Sequence, residues 1–413
     1  MVSSLSKFRN NTVTFEVMKK TVTIIGGGPS AMLLAAHLDP QLFDVTIIEK
    51  NNALGRKFLV AGKGGFNLTH SENLAQFIPR YTPFEFLEKG LTAFSNTHLR
   101  TWFNSLDIPT FVGSSKRIYP EEGIKPIEVL NAILNRLKQN KVQLKTKENW
   151  IGFNAQNELI FDSGLSVQSD ITVFSLGGGS WKKTGSSGDW LNHFSEKGIN
   201  IIPFQASNCA SEIDWKKDFI DKNGGKPLKN ISISCGNSQK KGEIVITKFG
   251  LEGGAIYALS PAIRNGLNKE GKVTITIDLK PSLIVNEIVS KLSSGKLTQQ
   301  LVKAIKLEKP KIDLLKHYLN REEFLDTKTL ANAIKNFSLA VIGSAPLDEA
   351  ISTVGGIDLN EIDENFELQK IKNSYAIGEM LDYDAPTGGY LLQSCFSMGV
   401  FVANHLNDKY EKK

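Results

Sequence analysis

The chain has 413 residues, is 41% hydrophobic and carries a formal charge of +6, from 49 Lys and Arg against 43 Asp and Glu. That length suggests two or three domains, and the composition is that of a globular protein able to build a sizeable core. No apolar run approaches the roughly 18–20 residues that cross a bilayer, and the basic residues are scattered rather than blocked, so neither a membrane nor a nucleic-acid partner is expected.

Residues 1–17 lack a signal-peptide core and read as a disordered tail, with Met18 a natural start. Cys209, Cys235 and Cys395 show neither metal-ligand spacing nor a disulfide framework, which points to a reducing, cytoplasmic setting without a bound metal.

The first ordered stretch is Thr21–Lys50. A β-branched run, Thr21–Ile25, reads as a buried strand, and Gly26, Gly27 and Gly28 end it in a turn. From Pro29 the pattern turns helical, with Met32, Leu33, Ala35, Ala36 and Leu38 on a broad apolar face, and Asp39-Pro40 stops it. A second strand, Asp44–Ile48, ends in Glu49. In that order the pieces form a dinucleotide site. Gly26 permits the tight turn, Gly28 lets the backbone approach a pyrophosphate, and Ala31 allows close helix–strand packing. The helix start at Pro29-Ser30 presents free N–H groups. Glu49, 21 residues beyond Gly28, is placed to bind ribose hydroxyls, with Lys50 beside it.

Asn51–His70 interleaves Gly and Ala with Arg56, Lys57 and Lys63, a composition suited to lying flat on the same ligand. Gly55-Arg56-Lys57 and Ala61-Gly62-Lys63-Gly64-Gly65-Phe66-Asn67-Leu68-Thr69 resemble the bacterial YhiN-type flavoproteins, whose pattern is G-R-K followed by S-G-N-G-R-C-N-x-T-N. Lys63, Gly65, Phe66 and His70 depart from that pattern, so chemistry resting on its Arg or Cys is not carried over. The resemblance implies FAD as cofactor, an NAD(P)/FAD-dependent or amine-oxidase-like oxidoreductase, and Arg56, Lys57, Gly62, Gly64 and Asn67 as cofactor contacts.

Further along, a helix is expected over Pro126–Gln139 and a small meander over Val142–Val167. The strand Ile171–Leu176 ends in Gly177-Gly178, which in flavoproteins of this build approach the cofactor. Thr184-Gly185-Ser186-Ser187-Gly188-Asp189 is similar to the family's T-G-S-T-G-D. Residues 192–344 have a different texture, with half-buried strands in 192–280 and helical patterns in 281–344. They read as a substrate domain inserted into a discontinuous FAD-binding domain made of residues 18–191 and 345–413. Phe249–Arg264 has a glycine turn, but no strand–acid unit follows to make it a second dinucleotide site.

At the C-terminal end, Asn373–Ile377 reads as a strand and Leu391–Leu406 as a helix. Gly378, Glu379, Asp382, Thr387, Gly388, Gly389, Tyr390 and Gln393 match the family's G-E-x-x-D-x-x-x-x-T-G-G-Y-N-L-Q. The resemblance puts Gly378-Glu379 at the ribityl–phosphate part and the glycine loop, Gly388-Gly389, at the isoalloxazine, with Gln393 a further cofactor contact. Lys63 and Tyr390 are the candidate catalytic groups, by nearness in the motifs. His70 and His193 read as packed or polar residues.

The fold class is therefore α/β, a Rossmann-like FAD-binding domain with an inserted β-rich and helical domain. The expected activity is hydride transfer between FAD and a small amine or conjugated alkene, with NAD(P)H or O2 as the electron partner. An RNA-associated flavoprotein and a non-catalytic flavin sensor are the alternatives.

Overall fold

The computed structural model describes residues 18–60, 65–292 and 297–411. Five strands form one wholly parallel sheet. Its order is Ser374–Ala376, Ile171–Phe174, β1 (Lys20–Ile25), β2 (Phe43–Glu49) and Gln143–Thr146. Val22, Ile24, Ile47 and Val173 are buried in its middle, as expected of strands covered on both faces.

Helix α1 (Pro29–His37) follows β1, and Ser30–Ala36 are buried all round. That fits its position between the sheet, the C-terminal helix Tyr390–Glu411 and the helix Pro126–Gln139. Each fully buried Leu of α1 contributes about 1.5–3 kcal/mol. The Pro126–Gln139 helix begins at the expected proline and buries Val129, Leu130, Ile133 and Leu137.

One expectation is corrected here. Gln143–Thr146 does not join the meander but pairs in parallel with β2 at the sheet's edge. The preceding helix is the crossover of a βαβ unit, and an edge strand can be polar, which hid its role. The meander is confined to Trp150–Phe153, Leu159–Phe161 and Ser166–Val167.

A second hydrophobic core, running from Ile213 to Val341, is separate from the one that surrounds the parallel sheet. Around it lies a seven-stranded antiparallel sheet with helices Val285–Leu292, Lys309–Tyr318 and Thr327–Lys335 among its covers. Ile201–Ser207 and Ser352–Ile357 pair antiparallel where the chain leaves and re-enters the first core. Gly250–Glu252 is a strand of the antiparallel sheet, so Phe249–Arg264 does not build a second parallel βα unit. The three cysteines are free and buried. Among the described residues no helix is long and apolar enough to cross a membrane.

Candidate active site

In the parallel sheet the strand order reverses beside β1, between β2 and Ile171–Phe174. Loops leaving the carboxyl ends of these strands diverge there and open a crevice, the usual ligand position of such sheets. The three glycines after β1 have different reasons to be there. Gly26 has φ +98°, and a Cβ on it would lie 2.3 Å from the Ser175 carbonyl oxygen. A Cβ on Gly27 would lie 2.5 Å from Leu54 Cγ. Both are demanded by the protein itself. Gly28, the residue capping α1, has φ −80°, open to any residue, and a Cβ there would meet nothing within 4 Å. A Ser, Asn or Asp would cap the helix better. What calls for glycine at this point is the crevice.

Glu49 stands across the same crevice. Its Oε2 accepts from Gly27 N at 2.8 Å, and its Oε1 accepts from Asn51 N at 2.8 Å and Asn51 Nδ2 at 2.6 Å. These bonds fix the carboxylate at the end of β2 and leave one acceptor site, on Oε2, for a hydroxyl donor. Three cations also line the crevice. Lys50 Nζ donates to Ser187 Oγ at 3.0 Å, and Arg56 Nη2 donates to the Lys183 carbonyl at 3.0 Å. Lys57 Nζ reaches Glu379 Oε2 at 2.8 Å and Ser180 Oγ at 3.1 Å.

The crevice therefore gathers Gly26, Gly28, Pro29, Ser30, Glu49, Lys50, Arg56, Lys57, Gly177 and Glu379 from the expected residues. Thr184, Ser186 and Asp189 join them, so the segment similar to T-G-S-T-G-D is part of the wall. Ala31 is buried and serves close packing. Gly178 turns inward, where a Cβ would lie 2.0 Å from Thr353 Oγ1. Gly378 abuts α1, 2.7 Å from Ser30 Oγ by the same measure. Gly62, Lys63 and Gly64 lie outside the described residues.

The C-terminal glycine loop is set against the Asn67–Thr69 segment. A Cβ on Gly389 would lie 2.6 Å from Thr69 Cα and 2.8 Å from Asn67 Nδ2, and its φ is +98°. Gly389 is thus required for the loop to pack on Asn67–Thr69, and Gly388 faces Arg117. Gln393, expected at the cofactor, is fully buried, and its Nε2 donates to the Phe94 carbonyl at 3.0 Å and to Ser397 Oγ at 3.0 Å. It lies on the inner face of its helix, so it pins two elements together.

Tyr390, expected to be catalytic, donates its hydroxyl to Glu72 Oε2 at 2.7 Å, and Arg80 holds both oxygens of that carboxylate. The ring of His70 stacks on it at 5.1 Å. Burial and the hydrogen bond to Glu72 raise the Tyr390 phenol far above its ordinary value, so it keeps its proton. His193 packs edge-on against Trp150 at 5.1 Å. Cys395 borders the crevice, but burial pushes its thiol up to about 12, which leaves no thiolate for nucleophilic chemistry.

The family model for the HI0933-like protein Rossmann domain matches residues 20–405. The chain belongs to this family. Among curated relatives, it is 24% identical over 400 residues to the 3-dehydro-bile acid delta(4,6)-reductase of Clostridium scindens, covering 92% of this chain and 97% of that protein. It is also 24% identical over 394 residues to a ribosomal RNA dihydrouridine synthase of Haemophilus influenzae, covering 91% and 95%. Among solved structures it shares the fold of an open flavocytochrome c3 fumarate reductase, at TM-score 0.51 and 12% identity, covering 95% of this chain and 79% of that one. By family and fold the HI0933-like chain stands among FAD-dependent oxidoreductases.

The sequence reading missed a second polar cluster, at the seam between the two cores. Arg264 Nη2 donates to Asp384 Oδ2 at 2.6 Å, and Ser207 Oγ donates to Asp384 Oδ1 at 2.7 Å. Asn208 Nδ2 donates to Ser352 Oγ at 2.7 Å and to the Ala385 carbonyl at 2.8 Å. Nearby, burial raises the Asp382 carboxyl above its ordinary value. Asp384 lies in the glycine-loop motif and Arg264 in the turn-and-helix segment of the insertion. The available sequence signal was that Asp384 falls inside the family-like glycine-loop motif.

Proposed function

We propose that the protein binds FAD in the crevice beside Gly28 and Glu49 and uses it to reduce a conjugated carbon–carbon double bond of a small organic substrate. When bound, FAD supplies the hydride chemistry. The chain's own residues bind and orient it. Gly28 leaves room for the pyrophosphate at the α1 N-terminus, where free N–H groups and the helix dipole favour negative charge. Glu49 receives a ribose hydroxyl. Lys50, Arg56 and Lys57, with Ser30, Gly177, Ser186 and Glu379, hold the remaining polar parts. Asn67, Gly388 and Gly389 sit together at the proposed far end, toward the segment that contains Gly62, Lys63 and Gly64.

The observation that carries this reading is Gly28, a glycine that neither backbone conformation nor protein packing demands, set opposite the carboxylate that ends β2. The names of the curated relatives, a delta(4,6)-reductase and a dihydrouridine synthase, favour double-bond reduction over amine oxidation. The sequence holds one complete strand–glycine–helix–strand–acid unit, so NAD(P)H is proposed to bind weakly in a substrate cleft rather than in its own Rossmann unit.

The test is purification, a visible spectrum and anaerobic reduction, followed by mixing with conjugated enones or with small amines. A yellow protein that releases FAD on denaturation, and whose reduced flavin is reoxidised by enones, is the expected result. A colourless protein that takes up no FAD would overturn the cofactor reading. Reduction of the oxidised flavin by amines, without reoxidation by enones, would overturn the direction.

A second reading, action on RNA, draws on the dihydrouridine synthase relative and on charge. Residues 192–344 hold 23 Lys and Arg against 15 Asp and Glu, so the positive excess of the chain resides there. Salt-dependent retention of the protein on RNA would favour this reading over a small free substrate.

A further inference from the structure

A small antiparallel sheet stands beside the C-terminal glycine loop, and its two faces differ chemically. In the strand Arg117–Pro120, Ile118 and Pro120 are buried while Arg117 and Tyr119 are half-buried, so the latter two share the outer face. The register places His70 opposite Arg117 and Phe111 opposite Tyr119. Phe111 stacks on Tyr119 at 5.7 Å and keeps 44% of its exposure. The outer face therefore offers a guanidinium next to a flat apolar surface.

That guanidinium faces the glycine loop. A Cβ on Gly388 would lie 3.4 Å from Arg117 Nε and 3.9 Å from Nη2. No carboxylate among the described residues forms an ion pair with Arg117, whose side chain is still open to solvent. Glu72, the acid of this region, is already engaged. Arg80 holds both of its oxygens, and the Tyr390 hydroxyl donates to one of them. His70 adds no charge, since burial lowers its pKa and its Nδ1 accepts from Glu72 N at 3.2 Å. Arg80 and Glu72 cancel, which leaves one net positive charge among these groups, on Arg117.

A single charge discriminates between acceptors of hydride. Addition to a conjugated ketone creates one negative charge, on the carbonyl oxygen. Addition to a conjugated carboxylate adds a second charge to the one already there. A lone guanidinium matches the first case, because donors aimed at the oxygen where charge develops are what lowers the barrier.

We propose that Arg117 binds the carbonyl oxygen of an α,β-unsaturated ketone with a flat apolar body and holds the negative charge that this oxygen gains. The inference rests on the reading of the protein as an FAD-dependent reductase of conjugated double bonds. Hydride from the reduced flavin bonds to the β-carbon as the C=C π bond breaks. That electron pair forms the new double bond of an enolate, and the carbonyl pair moves to the oxygen held by Arg117. The α-carbon then takes a proton from water and the carbonyl re-forms. The body of the ketone lies toward Phe111 and Tyr119.

The test uses the full-length holoprotein, photoreduced without oxygen and mixed with benzylideneacetone. Ferricyanide serves as the reference oxidant, since it needs no carbonyl contact. Relative to ferricyanide, Arg117→Met should slow reoxidation by the ketone about 100-fold. Arg117→Lys, which keeps the charge, should recover part of that loss. Thermal melting and flavin content report that both variants fold and hold FAD. Cinnamate has the same aryl body with a carboxylate in place of the ketone, and it should reoxidise the parent more slowly. A ketone rate that Arg117→Met leaves unchanged would overturn the role of Arg117 alone. Cinnamate as the faster oxidant would overturn the ketone assignment. A protein without FAD, or a reduced flavin that the ketone does not reoxidise, would instead remove the reductase reading and this inference with it.

Discussion

Lys57 Nζ lies 2.8 Å from Glu379 Oε2, an ion pair that joins two residues 322 apart in sequence. Glu379 is 8% exposed and its second oxygen accepts from Thr353 N at 3.1 Å, so the carboxylate is held from two sides at the mouth of the crevice. Lys57→Met should leave that carboxylate nearly buried and unpaired. The expected loss is about 2–3 kcal/mol, below the roughly 3–5 of a fully buried pair because Lys57 keeps 27% of its exposure. Urea unfolding measures the loss, and flavin content measured in parallel should fall too. A variant with unchanged midpoint and full flavin would remove the pair from the site.

The glycines after β1 separate fold from ligand. Gly28→Val should leave a folded protein with little or no flavin, because its Cβ would meet no protein atom within 4 Å and Gly28 lines the crevice. Gly26→Val should instead impair folding. Its φ of +98° alone costs on the order of 1–3 kcal/mol for a residue with a Cβ, and the overlap with Ser175 adds to that. Circular dichroism and absorbance of the two variants check both statements. A Gly28→Val protein with full flavin content would show the site to be misplaced.

The seam between the cores depends on Arg264. Arg264→Leu should strand the Asp384 carboxylate, which is 8% exposed, and cost about 3–5 kcal/mol. The double variant Arg264→Leu, Asp384→Leu should recover part of that loss, since no charge is then left unpaired. A double-mutant cycle by chemical denaturation reads the coupling. Strictly additive losses would mean that the pair contributes nothing of its own.

Acid sensitivity has one assignable origin at the start of β1. The Lys20 ammonium and the Thr21 backbone N–H hold the Asp170 carboxyl at about 2, down from 3.8. A depressed carboxyl contributes its stabilisation in full above the unfolded value and loses it as pH falls through the folded one. Asp170→Asn should therefore be less stable than the parent at pH 6. The gap should close as pH is lowered from about 4 to about 2. Denaturation midpoints across that range test the sign, and a gap that widens on acidification would refute it.

The local grammar of the cofactor half was legible in the sequence because it is written within short windows. A β-branched run, three glycines, an apolar helix and an acid-ended strand need no distant partner to be recognised, and β1, α1, β2 and Glu49 stand where those patterns put them. The helix from Pro126 and the long C-terminal helix were readable for the same reason.

What only the tertiary structure decided is which distant segments meet and which way a side chain turns once they do. Gln143–Thr146 is a polar edge strand whose membership in the parallel sheet comes from its pairing with β2, not from its own pattern. Gln393 and Tyr390 sit in one short motif, and only the packing of their helix shows that one bonds Phe94 and the other Glu72. The pairings of Lys57 with Glu379 and of Arg264 with Asp384 come from tertiary packing, since neither local window names the distant partner. Hydrophobic periodicity fixes an element and its buried face. Register and long-range packing fix the neighbours, and in this protein the neighbours turn separate motifs into a site.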